Sequence, residues 1–243
     1  MIKTVGIVGF GHFGAFLYEL GQRFFPELEF RIYSRRAEVD NKRFFNLQTT
    51  AQSDVVILCG SIRDYERQLL SVLEYALPQT ILVDVATVKK HTSELLKKYG
   101  EGIRYLSTHP MFGPESYKKH AQNVSGFRIV VTDYVLKNDD YQKLKNTFAT
   151  LGFLIIEMTA DEHDEHLAET LFLTHYVGQS ILAAGFKRTE IDTLSFRFLM
   201  DAVESVKDDK ELFSDVYHFN PHCKLVAERL HDAQQRVYEE LLT

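Results

Sequence analysis

Residues 7–14 read IVGFGHFG. A short apolar run ends on Gly9, Gly11 and Gly14 follow in G-x-G-x-x-G spacing, and a helical pattern begins at once, with Phe13, Phe16, Leu17, Leu20 and Phe24 on one face. Strand, tight glycine turn and helix in that order make a phosphate-binding unit. Gly9 allows the turn, Gly11 lets backbone N–H groups approach a pyrophosphate, and Gly14 lets the helix lie close to the strand. At the head of an alternating chain, the motif predicts a dinucleotide site, with His12 and Phe13 completing the turn.

Outward from this unit the alternation continues. Apolar runs at FRIYS (30–34), DVVILCG (54–60), TILVDV (80–85), IRYLSTH (103–109), FRIVVT (127–132) and FLIIEMT (153–159) are separated by segments of helical period. Tyr65, Leu69, Val72 and Leu73 mark one such helix; Tyr141, Leu144, Phe148 and Leu151 mark another, with Gly152 at its cap. The fold class is therefore α/β, an N-terminal Rossmann-type, mostly parallel sheet. After about residue 160 the strand signal stops. Leu167, Leu171, Thr174, Gly178, Ile181 and Leu182 line one side of a long predicted helix, and helical spacing returns at 191–206 and 221–242. We expect an NADP-binding domain over 1–160 and a helical substrate and dimerisation domain over 161–243. So small a second unit has little core of its own, which predicts a homodimer formed through it; a monomer with a helical cap is the alternative.

Composition limits the partners. The 243 residues are 45% apolar, and 28 Lys plus Arg stand against 34 Asp plus Glu, a formal charge of -6. No broad basic field is present for nucleic acid. Cys59 and Cys223 suggest neither a disulfide framework nor a zinc site. The apolar start runs straight into the glycine turn, and no apolar stretch reaches the length of a membrane span, so a cytoplasmic location without a membrane partner is expected.

The end of the second strand selects the dinucleotide. NAD sites put an acid about 20 residues beyond the glycines to hold the ribose 2′-hydroxyl. Here residues 32–40 read IYSRRAEVD, with Ser34, Arg35 and Arg36 in the place, while Glu27 and Glu29 lie at the opposite end of that strand. A hydroxyl and a guanidinium fork suit a 2′-phosphate, which predicts NADP; two solvated surface arginines are the alternative.

Ligands of a doubly wound sheet bind at the C-terminal ends of its strands. Strands four and five end in DVATVKK (84–90) and STHPMFGPES (107–116), which puts His109 near the nicotinamide. Pro110 and Pro114 around Gly113 predict a shaped loop, and Thr87 offers a hydroxyl that could select the tautomer of His109. Glu162, His163, His166 and Glu169 have the residue types of a metal cluster, but His163 and His166 fall on neighbouring helix faces with no third ligand secured, and no metal is expected.

GFGHFG (9–14), SR (34–35), LCGSI (58–62), VDVATVKK (83–90), THPMFGPES (108–116), EHDEHLAETLFLTH (162–175) and NPHCKLVAERL (220–230) together resemble the prephenate/arogenate dehydrogenase family of tyrosine biosynthesis, in particular the plant-type arogenate enzymes. The resemblance implies a Rossmann domain with a helical dimerisation domain, and oxidative decarboxylation of a cyclohexadienyl ring. It puts the catalytic histidine on His109 and its hydroxyl partner, commonly serine, on Thr87. It adds Cys59, Ser61 and Val85 to the cofactor residues. It lines the substrate site with Thr87, His109, Gly113, Pro114, Glu115, Ser116, Thr174 and His175. Two departures stand out: Gln179 and Asp201 occupy positions where many members carry arginine. Arg197, with Lys187 and Arg188 behind it, is the expected replacement for binding the substrate carboxylate.

Two other functions fit parts of the pattern. A β-hydroxy acid dehydrogenase of the same architecture would require a catalytic lysine in the helical domain, and residues 160–186 contain none. An NADP-binding regulatory protein without turnover would explain the missing arginines.

Overall fold

The computed structural model of the chain describes residues 2–243, so residue 1 of the expected first domain lies outside it. Contacts divide the chain into two compact units, the first ending at Ala160 and the second Asp161–Thr243.

The first unit is built on seven strands: β1 (Thr4–Val8), β2 (Glu29–Tyr33), β3 (Val55–Leu58), β4 (Ile81–Asp84), β5 (Arg104–Pro110), β6 (Arg128–Tyr134) and β7 (Leu154–Glu157). Their order in the sheet is β2-β1-β3-β4-β5-β6-β7. Pairing is parallel from β2 through β5, but β6 runs antiparallel to β5, and β7 is parallel to β6. Between the strands lie α1 (His12–Phe24), α2 (Leu47–Ala51), α3 (Tyr65–Leu73), α4 (Lys89–Tyr99), α5 (Pro114–Lys119) and α6 (Asn138–Thr150), with a 3₁₀ turn at Ile62–Asp64.

Strand alternation sends side chains to two cores. Val56 and Leu58 pack with Tyr65, Leu69 and Val72 of α3 and Leu95 and Leu96 of α4. Val55 and Ile57 join the opposite face, with Val5, Ile7, Phe30 and Ile32. Phe16 and Leu20 of α1 pack with Ile129 and Phe153. Gly152 follows the last turn of α6 with φ +101°, a conformation glycine adopts without steric cost.

The second unit contains α7 (Ala160–Leu167), a π turn (Ala168–Phe172), α8 (Leu173–Ala183), α9 (Leu194–Val206), α10 (Lys210–Phe219) and α11 (Cys223–Glu240). Two expectations are corrected here. Helix α10 falls in a stretch where none was expected. The long helix does not keep one face: the π turn admits an extra residue, so the buried set passes from Leu167 to Ala168, Phe172 and His175, while Leu171 is half-buried and Thr174 exposed. Gly178 stays buried because a Cβ there would lie 2.6 Å from Val206 Cγ2. Among the described residues, no helix is long and apolar enough to cross a membrane.

Candidate active site

The glycine turn has the shape a dinucleotide phosphate requires. Gly9 has φ +102°, and a Cβ on Gly14 would lie 2.1 Å from Gly9 O, so α1 begins in backbone contact with the turn. A Cβ on Gly11 would meet nothing within 4 Å, which leaves open space over the start of α1. The residues therefore fit a bound pyrophosphate. His12 is exposed, whereas the ring of Phe13 packs into the α1 core, so Phe13 has only its backbone to offer a phosphate. Gln68, unnoticed in the sequence, braces the floor: its Nε2 donates to Val8 O (3.0 Å) and its Oε1 accepts from Gly60 N (3.1 Å). Cys59 lies beside Gly14, and its thiol is pushed up to about 12 by loss of water and by the charge of Asp84.

At the end of β2, Ser34 Oγ accepts from Arg36 N at 3.3 Å, which shapes the turn and leaves the Arg35 and Arg36 side chains exposed. Glu29, at the far end of the strand, is occupied by Arg31 at 2.7 Å. Ser61 follows β3 and donates to Asp64 Oδ2 at 3.2 Å.

The ends of β4 and β5 are locked by a charge pair to which the sequence reading gave no role. Asp84 and Lys89 have no exposed side-chain surface, and Lys89 Nζ lies 2.5 Å from Asp84 Oδ2. Lys89 also donates to Thr108 O at 2.6 Å. Asp84 accepts further bonds from Thr92 Oγ1 (2.7 Å), Ser107 Oγ (3.0 Å) and Ala86 N (2.8 Å), and its own carbonyl accepts from Thr108 Oγ1 (2.8 Å). Opposite Ser107 and Thr108 the register skips Thr132 of β6, a bulge of the kind that re-aims the residues beside it. His109 comes next, 6% exposed and opposite Val130. Val85 and Thr87 are half-buried in the β4–α4 turn, held at its start by Asp84.

The segment after His109 is more regular than expected. Pro110 ends β5, Gly113 precedes α5, and Pro114 takes its first position, where a missing N–H does no harm. Ser116 Oγ is engaged locally, accepting from Gly113 N at 2.8 Å. Glu115 is exposed, and the Phe112 ring stacks on Phe127 at 5.0 Å, anchoring the stretch.

In the second unit, His163 Nδ1 lies 2.8 Å from Asp164 Oδ1, both buried, while His166 is exposed. Asn220 Nδ2 donates to Asp164 O at 2.7 Å, so the first residue of NPHCKL ties α7 to the α10–α11 turn. His175 Nδ1 lies 2.9 Å from Leu171 O; a carbonyl only accepts, so this nitrogen carries a proton. Its Nε2 is buried without a hydrogen bond, 3.5 Å from Asp209 Oδ2. Thr174 Oγ1 bonds back to Thr170 O at 2.9 Å.

Both departures from the family pattern have local structural roles. Gln179 Nε2 donates to Val206 O at 2.8 Å, capping the end of α9. Asp201 and Glu204 each lie 2.6 Å from the Arg188 guanidinium, and Asp192 lies at 3.9 Å. Arg188 is thereby committed and is corrected as a ready carboxylate-binding residue. Arg197, in the first turn of α9, and Lys187 are exposed.

Known proteins resemble this chain over both units. The family profile "Prephenate dehydrogenase, nucleotide-binding domain" matches residues 34–152, and "TYRAAT1-like, C-terminal domain" matches residues 181–243. Arogenate dehydrogenase 2, chloroplastic, of Arabidopsis thaliana is 32% identical over 249 residues, covering 98% of this chain and 69% of that protein. Arogenate dehydrogenase 1, chloroplastic, of the same plant is 32% identical over 251 residues, and the chain spans 39% of its length. Among solved structures, prephenate dehydrogenase from A. aeolicus in complex with hydroxyphenyl propionate and NAD+ aligns with a TM-score of 0.77 at 17% identity, covering 100% of this chain and 91% of that one. Synechocystis arogenate dehydrogenase aligns with a TM-score of 0.70 at 20% identity, covering 99% and 91%.

Proposed function

The chain belongs to the prephenate/arogenate dehydrogenase family, and from that premise we propose that it catalyses the oxidative decarboxylation of arogenate, or of prephenate, with NADP+ as hydride acceptor. The products are tyrosine or 4-hydroxyphenylpyruvate. Held at the Gly9–Gly14 turn, NADP+ would supply the hydride acceptor for the ring carbon that bears the hydroxyl.

His109 takes the hydroxyl proton as that carbon becomes a carbonyl; loss of CO2 from the opposite carbon then leaves a phenolate, and return of the proton from His109 gives the aromatic phenol. One observation carries the reading. Of His12, His91, His109 and His120 in the first unit, His109 alone is buried, and it follows directly on the backbone that Lys89 and Asp84 hold. Such a histidine has little freedom to leave its station, which is what a positioned base requires. In this reading Thr87 supplies the neighbouring hydroxyl. Gly113 to Ser116, Thr174, His175 and Arg197 bind the substrate, with Arg197 on its carboxylate. Ser34 and Arg35 favour NADP over NAD, supported by Glu29 being engaged at the wrong end of β2. The arogenate preference draws on the two plant relatives.

Assembly as a homodimer through the helical unit is part of the proposal. Its support is the exposed apolar surface of Leu194 and Phe198 on α9 and Leu225 and Val237 on α11, more than a small helical unit normally leaves in water. The free thiols Cys59 and Cys223 accord with a reducing compartment such as the cytoplasm.

Purified protein given arogenate or prephenate with NADP+ or NAD+ should reduce NADP+ with one of the two acids, read at 340 nm. No reduction in any pairing overturns the reading. His109→Asn should lower turnover roughly 10²- to 10⁴-fold and remove the acid limb of the pH profile, because asparagine cannot take the proton. Cofactor affinity should be unchanged. Retention of more than about a third of parental turnover would move the base elsewhere, with His175 next in line.

A further inference from the structure

Two turns converge beside the glycine turn, because the order β2-β1-β3 sets the C-terminal ends of β2 and β3 on either side of β1. From the β2 side, Arg35 Nη2 reaches to 3.5 Å from Asp64 Oδ2. From the β3 side, Arg67 in the first turn of α3 hydrogen-bonds the other oxygen, Asp64 Oδ1, and Ser61 Oγ donates to Oδ2 at 3.2 Å. The hydrogen bond from Arg67, with those of Ser61 and the charge of Arg35, holds the Asp64 carboxyl below its usual range, so it is an anion at neutral pH. All three charged side chains are solvent-accessible: Arg35 is 63%, Arg67 57% and Asp64 37% exposed.

Water screens an ion triad this open, so it adds little to the stability of the fold. What it does is hold two guanidinium groups around one oxyanion at the edge of the nucleotide site. A phosphate monoester is also an oxyanion, with more charge and three acceptor oxygens, and guanidinium forks match it. We propose that Arg67 is a second cation of the 2′-phosphate site, and that Asp64 is a resident anion that keeps Arg35 and Arg67 facing that site until the 2′-phosphate displaces it. This rests on the NADP reading above. Asp64 then acts as a competitor within the chain: it organises the arginines and sets a ceiling on NADP affinity. NAD, which has no 2′-phosphate, leaves the triad intact.

The test is calorimetric titration of NADP+ and of NAD+ into the parent protein and the Arg35→Ala, Arg67→Ala and Asp64→Asn variants, with melting temperatures as a folding control. Arg67→Ala should weaken NADP+ roughly tenfold or more and leave NAD+ unchanged. It should also flatten the salt dependence of NADP+ binding, since one screened charge contact is gone. Asp64→Asn should tighten NADP+ by a few-fold without affecting NAD+. Loss of NADP+ affinity in Arg35→Ala but not in Arg67→Ala would overturn this inference and leave the NADP reading standing. Equal effects of Arg67→Ala on both dinucleotides would also overturn it. If Arg35→Ala itself fails to separate the two dinucleotides, the NADP reading fails first.

Discussion

Replacing Lys89 by methionine isolates the pair that locks β4 to β5. Methionine keeps most of the side-chain volume but removes the ammonium, so Asp84 is left as a buried charge and Thr108 O loses its donor. Breaking a buried ion pair from one side costs about 3–5 kcal/mol. Asp84 keeps the donors Thr92, Ser107 and Ala86 N, which soften the loss. We therefore expect about 3–4 kcal/mol, the lower half of that range. Urea unfolding followed by far-ultraviolet circular dichroism, suited to a chain without tryptophan, should show the midpoint falling by about 1.5–2 M for a slope near 2 kcal/mol/M. Asp84→Asn combined with Lys89→Met removes both charges and should recover at least half of the loss. A single variant within about 1 kcal/mol of the parent, or a double variant no better than the single, would refute the view that the uncompensated charge of Asp84 causes most of the loss.

Two further changes separate shape from space in the glycine turn. Gly14→Ala should destabilise the first unit by about 1–3 kcal/mol, because its Cβ would meet Gly9 O at 2.1 Å. Gly11→Ala, with nothing within 4 Å, should leave the melting temperature unchanged yet lower dinucleotide affinity more than about tenfold; normal binding would mean the pyrophosphate lies elsewhere. Asp54 Oδ2 accepts from Lys3 N (2.7 Å), Thr4 N (3.0 Å) and Thr4 Oγ1 (3.2 Å), and the Lys3 N–H is the main cause of a carboxyl pKa held below 3.8. Its stabilisation is complete above the unfolded-state pKa and is lost as pH falls through the lower folded value, so Asp54→Asn should flatten the acid unfolding profile below about pH 5. An unchanged profile would show that Asp54 carries none of the acid sensitivity.

Each of the seven apolar runs became a strand, since short β-branched segments bounded by turn residues have few other ways to bury themselves. Direction is what such a run does not carry. FRIVVT reads alike either way, and β6 is antiparallel because the link after β5 holds only the short α5, not a full crossover helix. His109 was legible as a candidate because glycine turns and strand ends locate the ligand edge of a doubly wound sheet. The lock behind it was not, because Asp84 and Lys89 look like ordinary surface charges until the β4–α4 turn buries them together. Arg188 misled for the converse reason: its partners Asp201 and Glu204 lie on α9, and sequence spacing does not reveal that they meet it.

The π turn between α7 and α8 gives this part of the chain a tolerance of deletion that is only one residue deep, in a way that point substitutions would not reveal. Removing one residue from Ala168–Phe172 lets the turn close to ordinary α geometry and takes up the change locally, whereas removing a second swings everything after it by about 100° about the helix axis. After that second deletion His175 and Gly178 would leave the buried side together, and Gly178 would give up its close fit against Val206. The distance in sequence between His163-Asp164 and Thr174-His175 can thus shorten by one residue, but not by two, with both pairs keeping their faces. Among natural relatives, a one-residue gap in this interval would mark a plain α-helix with the same buried side, and a two-residue gap a different one even where every motif residue is kept.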